Sequence, residues 1–137
     1  MTSDTTSDDL TLEQSRARHA LQAVKAVHEQ GASLAESYKR EANGLAANIV
    51  NNGLGQTCAT LLAKGDDGAK RLYEDMSTWL STDEYTAPYR GAGDLVTAIT
   101  QHGQRKYVHA QSEALAWLEW TKKFARAFLN DSGVHDG

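Results

Sequence analysis

The sequence predicts an all-α protein: a compact bundle of five to six helices closed by a long C-terminal helix. Three observations carry this. Apolar residues recur at steps of three and four along most of the chain, the spacing that stacks side chains on one helical face. No segment alternates with period two, so no sheet is expected. Proline occurs once and aromatic residues make up only 7% of the 137 positions, so helix breakers and strand formers are both scarce.

The elements follow in order. Thr11-Leu-Glu-Gln14 has the form of a capping box, in which threonine and glutamine bond reciprocally to the first backbone amides. Behind it Ala17, Ala20, Leu21, Val24 and Val27 form one face, and Gly31 ends the helix. Ser33 with Glu36 suggests a second capping box, followed by Leu34, Tyr38, Ala42, Leu45 and Ile49. Asn43-Gly44 within this run weakens the helix by about 1 kcal/mol and marks a kink or early break. Asn51-Asn52-Gly53 punctuates the chain, and a short helix carries Leu54, Cys58, Leu61 and Leu62 on one side. A fourth helix is expected over 69–80, with Leu72, Met76, Trp79 and Leu80 inward. Residues 81–93, with Pro88, read as loop, and Asp94 caps a short helix bearing Leu95, Val96 and Ile99. The final helix, over 104–130, presents Tyr107, Ala110, Ala114, Trp117, Thr121, Phe124 and Phe128 as the spine of the bundle.

One globular domain fits this length, over residues 11–130, flanked by expected disordered segments at 1–10 and 131–137. A single cysteine, Cys58, excludes an internal disulfide framework and multi-cysteine zinc sites. No apolar run reaches the roughly 18 residues that span a bilayer, and residues 1–10 lack signal-peptide order. A cytoplasmic protein with no membrane association is therefore expected. The net charge is −4, yet Asp4, Asp8, Asp9, Asp131 and Asp136 lie in the flanks. Without them thirteen acids face fourteen bases, so the folding part carries about +1. That balance admits a nucleic-acid partner and argues against tight binding by one isolated domain.

Catalytic patterns fail. The five histidines are scattered, and His109 with Glu113 reads as a surface pair four residues apart on one helix. Gly53-Leu54-Gly55-Gln56-Thr57 lacks the third glycine, the lysine and the preceding strand of a phosphate loop. Cys58 sits in an apolar register, and Asp66-Asp67-Gly68 lacks the spaced oxygen ligands of a calcium loop. No catalytic, metal or cofactor residue is assigned, and a non-enzymatic protein is expected. What remains is surface. Arg16, Arg18 and Lys25 on the first helix, Lys39 and Arg40 on the second, and Arg105, Lys122, Lys123 and Arg126 on the last either solvate outer faces or pool into a strip that tracks a nucleic-acid backbone. Trp120 falls outside the central stripe, so it either packs under a neighbouring helix or docks on another subunit.

Two segments carry a family resemblance. One is Tyr38 to Lys64, with Asn52-Gly53-Leu54-Gly55-Gln56-Thr57 at its centre. The other is Tyr107 to Phe128, with Glu113-Ala114-Leu115-Ala116-Trp117-Leu118-Glu119-Trp120 and then Lys122-Lys123-Phe124-Ala125. With the arginine-bearing first helix, they resemble the small helical subunit of the type III-B CRISPR RNA-guided (Cmr) effector complex, over most of residues 11–128. Three positions depart from the family pattern. Leu45-Ala46 stands where an apolar residue and proline are common, Thr121 replaces a leucine, and Lys123 replaces an arginine, keeping charge but losing a bidentate fork. The resemblance implies a non-catalytic subunit, stacked with copies of itself as a minor filament beside the backbone subunits and bridging to the large polymerase/cyclase-domain subunit. Its positive surface would face guide and target RNA. The nine basic residues above become candidate RNA contacts, and Asn52, Gly53, Leu54 and Trp120 candidate subunit contacts. An unrelated protein–protein adaptor, or an enzyme whose site assembles across an oligomer, are the alternatives.

Overall fold

A computed structural model describes residues 9–82 and 86–130. Among them lie six helices and no strand: α1 (Leu12–Gln30), α2 (Ala32–Asn52), α3 (Leu54–Lys64), α4 (Asp67–Leu80), α5 (Leu95–Gln101) and α6 (Gln104–Phe128). The expectations for both flanks fall on residues outside this range, apart from Asp9 and Leu10.

The Thr11 capping box forms as expected: the Thr11 hydroxyl accepts from the Gln14 amide and the Gln14 side chain accepts from the Thr11 amide. The second box does not. Gly31, at φ +113°, is both the end of α1 and the N-cap of α2, so a single residue reverses the chain and Ser33 already lies inside the helix. Nor does α2 break at Asn43-Gly44. Tyr38, Ala42, Leu45 and Ile49 are all buried on its inner face, and their burial outweighs the propensity cost of one exposed glycine. Helix α4 begins earlier than the periodicity suggests, because the Asp66 side chain caps it at the Gly68 amide. Helix α6 ends at Phe128 rather than Asn130, and Leu62 faces outward.

Helix α6 is the spine. It runs parallel to α1, as the pairings Arg16–Glu113 and His19–Trp117 show, and antiparallel to α2, with Gly53 beside Tyr107 and Asn43 beside Arg126. Ala110, Ala114, Trp117, Leu118, Thr121 and Ala125 are buried along it. The Thr121 hydroxyl is satisfied one turn back by the Trp117 carbonyl.

Helix α4 crosses α2 closely enough that Gly68 is required there: a Cβ would overlap the Ser37 backbone and hydroxyl. The Ser37 hydroxyl itself accepts from the Gly68 amide at 3.0 Å and donates to Asp66 at 2.5 Å. Tyr38 donates to Asp75 at 2.8 Å across the same crossing. Helix α5 is clamped to α4 by Ser77, which accepts from the Leu95 amide, and by Tyr73, which accepts from the Val96 amide and donates to Asp94. That last bond holds the Asp94 carboxyl below its usual range.

The two glycine sites separate packing from propensity. Gly68→Ala should destabilise the protein by about 1–3 kcal/mol through overpacking. Gly44→Ala, with nothing near its added methyl, should stabilise it by about 0.5–1 kcal/mol. Denaturant unfolding of both variants against the parent checks the pair.

Candidate functional site: a basic groove beside an aromatic ridge

The first half of α2 and the end of α6 diverge enough to leave a groove of about 470 Å3. Four of the nine candidate bases line it: Lys39 and Arg40 from α2, Lys122 and Arg126 from α6. Their spacing explains the meeting. Residues three or four apart share a face, so Lys122 and Arg126 project together, and Lys39 lies one turn from Glu36 and Asn43. Arg126 donates to the Asn43 side chain at 3.4 Å, tying the two walls. Arg40 pairs with Asp66 at 3.1 Å, and Glu36 adds one carboxylate. Four cations against two carboxylates leave the groove positive. Ala35 and Leu129, both nearly inaccessible, form its apolar floor.

The other five candidates are dispersed. Arg16 is committed inward: its guanidinium pairs with Glu113 at 2.5 and 2.9 Å, and this hydrogen bonding raises the Arg16 pKa further. Arg18 is exposed on α1, and Lys25 lies 5.9 Å from the centre of the Phe128 ring. Lys123 is adjacent to Lys122 in sequence yet sits on the α1 side of α6, 3.7 Å from Glu119. Arg105 lies seventeen residues before Lys122 on the same helix, about 25 Å away.

A second feature borders α1. Trp120 stacks on Phe124 with ring centres 5.7 Å apart, and Phe124 neighbours Phe128 at 6.2 Å. Sequence periodicity placed Phe124 and Phe128 in the buried stripe. Phe124 is only partly buried, and Phe128 is 44% exposed. Steps of four put both on the face of Trp120, and that shared spacing is the signal that could have identified a ridge. Trp120 also borders a shallow hollow with Glu13, Arg16, Ala116, Glu119 and Lys123.

At the far end of the molecule, Leu54 has 0% exposure and faces this chain's own core, so its side chain offers nothing to a neighbour. Asn52 is exposed and Gly53 adopts φ +89° at the turn. The first amides of α3 are occupied, Leu54 by the Gln111 side chain at 3.0 Å and Gly55 by the Tyr107 hydroxyl at 2.9 Å. Two of the amides that a phosphate would need there are thus already taken.

Beneath both surface features lies a polar cluster that sequence periodicity missed. Glu113, expected at the surface beside His109, is 5% exposed and accepts from Arg16 and from the Trp79 indole at 3.0 Å. Helical register explains it: Glu113 adjoins Ala114 and lies four residues before Trp117, on the face turned to α1 and α4. His19 accepts from the Trp117 indole at its Nδ1, 2.9 Å away, and its Nε2 contacts the Thr78 hydroxyl at 3.1 Å. The neutral ring is the form this geometry requires, and burial lowers its pKa to about 4. Burial likewise pushes the Cys58 thiol up to about 12, leaving it unreactive. Among the described residues no three histidine, cysteine or acidic side chains converge as metal ligands, and no helix is long and apolar enough to cross a membrane.

These features define the class: a small all-helical domain with a basic groove and an aromatic ridge on its outer faces. The chain matches the profile of the family described as "CRISPR-associated protein (Cas_Cmr5)" over residues 12–128, and it belongs to that family. Family membership makes it a small subunit of the type III-B CRISPR Cmr complex. It is similar to the crystal structure of a CRISPR-associated Cmr5 family protein from Thermus thermophilus, with a TM-score of 0.71 and 24% identity. The match covers 88% of this chain and all of the other, and shows the shared fold. No curated protein sequence matches the chain significantly.

The His19 environment yields a pH dependence. The unfolded imidazole titrates near 6.5 and the folded one near 4, so stability from the neutral ring is fully present above pH 6.5 and is lost as pH falls from 6.5 toward 4. The loss should reach about 2–3 kcal/mol. In His19→Gln, which keeps an acceptor without titrating, the difference in unfolding free energy between pH 7 and pH 4.5 should shrink correspondingly. An unchanged difference would mean that other groups carry it.

Proposed function

We propose that this chain is a non-catalytic building block of the complex, repeated as a minor filament beside the backbone subunits, and that its α2/α6 groove contacts the phosphates of RNA held there. The observation that carries this reading is the meeting of Lys39, Arg40, Lys122 and Arg126 from two separate helices in one groove. Cations of this kind position a nucleic-acid backbone without reading its sequence. One groove with two neighbouring carboxylates binds weakly by itself. Repetition along a filament turns weak contacts into useful affinity through effective concentration. The near-neutral charge of the folding part suits a subunit that acts only in an array.

The aromatic ridge supports a contact of a different kind. Trp120 sits among Glu13, Glu119, Arg16 and Lys123, a mixed-charge rim around a half-buried aromatic. That composition suits a protein neighbour better than a phosphate backbone, so we assign Trp120 to subunit contact. Asn52 and Gly53, at the opposite end, are the remaining candidates for a subunit contact.

Charge reversal separates the two sides of α6. Lys122→Glu/Arg126→Glu should weaken target-RNA binding by the assembled complex and lower the magnitude of the salt slope by about 1–2 for single-stranded RNA. Lys123→Glu should change both much less, and both proteins should stay folded. Equal RNA affinity of parent and double variant at moderate salt would remove the groove as an RNA contact.

A further inference from the structure

Glu36 is out of place in a track that only grips phosphates. It lines the α2/α6 groove among four cations, where a carboxylate repels the anions those cations attract. It neutralises no neighbour: among the described residues the side chains of Glu36, Lys39 and Lys122 have no hydrogen-bond or ion partner, whereas Arg40 is paired with Asp66 and Arg126 with Asn43. The floor is a second feature that phosphates do not use. Ala35 and Leu129 close it, with exposed Ala32 at its edge, and the methylene stems of the two lysines add apolar surface beside it. Two unpaired lysines, one unpaired carboxylate and a small apolar floor, in one groove of about 470 Å3, match the parts of a nucleotide. We propose that the groove takes one unpaired nucleotide, with its phosphate on Lys39 and Lys122, its base over the Ala35–Leu129 floor, and an exocyclic amino group of that base donating to Glu36. This deepens the RNA reading of the groove and rests on it for the phosphate contact.

The carboxylate turns a phosphate contact into a preference among bases. Cytosine presents an amino group, which donates to a carboxylate. Uracil presents a carbonyl oxygen at the same edge, and its ring N–H lies between two carbonyls, so an approaching carboxylate is repelled on both sides. Adenine and guanine carry amino groups and are accepted with cytosine. One such hydrogen bond at a site open to water is worth about a two- to tenfold difference in affinity. Arg126, held by Asn43 at 3.4 Å, offers a guanidinium plane on which a base can stack. In a duplex the amino group is already engaged by the opposite base, so the preference belongs to unpaired nucleotides. A free nucleotide and a nucleotide within a single strand share this chemistry.

Amide shifts of the full chain test this, since they measure weak binding residue by residue. Signals of Ala35, Lys39 and Asn43 in the groove are compared with those of Lys25 and His28 on α1 as cytidine monophosphate, uridine monophosphate or inorganic phosphate is added. All three should move the groove signals selectively, with cytidine monophosphate binding about two- to tenfold tighter than uridine monophosphate. In Glu36→Gln, whose amide both donates and accepts, the two nucleotides should bind alike. Their ratio is the readout, because removing a negative charge tightens every phosphate ligand equally. Glu36 is exposed, so the variant should keep the parent fold, and its amide spectrum verifies that. Equal affinity of the two nucleotides for the parent, or a ratio unchanged in Glu36→Gln, would overturn the proposal. Single-stranded oligocytidine and oligouridine then separate the sources. Tighter binding of the strands than of the monophosphates, with the same ratio, assigns the site to RNA. If the monophosphates show the preference and the strands do not bind, the site stands as one for free nucleotides and the RNA reading fails. If the strands bind without preference, the RNA reading stands and the base site falls.

Discussion

The burial of one stripe on α6 between α1 and α2 sets the position of every surface feature described above. Ala110, Ala114 and Ala125 are small enough to let the neighbouring helices approach, and Trp117 fills the space between them. Once that stripe is turned inward, the rotation of α6 about its axis has no freedom left. Lys122 and Arg126 must then emerge on the α2 side, and Trp120, Lys123 and Phe128 on the α1 side. Adjacent residues such as Lys122 and Lys123 are separated by about 100° around a helix, which is why neighbours in sequence serve different faces.

A buried carboxylate reinforces this rotation. Glu113 sits almost without solvent and is made tolerable by the Arg16 guanidinium and the Trp79 indole, so α1, α4 and α6 are joined at a single point. A charge pair of this kind contributes little net stability, because desolvation offsets much of the attraction. Its strict geometry instead penalises alternative packings, since any slip would strand a buried charge. The adjoining His19–Trp117 bond acts on the same three helices, with Thr78 of α4 as the third member. Arg16 belongs to this internal frame more than to the outer surface.

Much of the fold was legible beforehand. The Thr11 box, the glycine at 31, the turn at Gly53, the Asp94 cap and the start of α6 at Gln104 all depend on residues close together in sequence, and each appears in the structure. Local reasoning failed where a distant partner decides. Gly68 looked like a loop residue because the neighbour that requires a glycine, Ser37, is thirty-one residues away. Gly44 looked like a break because the burial that holds α2 straight there comes from other helices. Leu54 entered as a subunit contact only through the family resemblance, whereas helical spacing had already put it on one side with Cys58 and Leu61, and that side is buried.

Apolar spacing and capping residues were sufficient to determine an all-α bundle with a long C-terminal helix, because each depends on side chains close together along the chain. The sequence also contained every base of the groove and every ring of the ridge. Which bases share a groove, which one is withdrawn into the core, and which aromatics remain in contact with solvent were decided only by the packing of α6 against its neighbours. Those relations join residues up to about a hundred positions apart, and helical periodicity carries no information about the angle at which two helices meet.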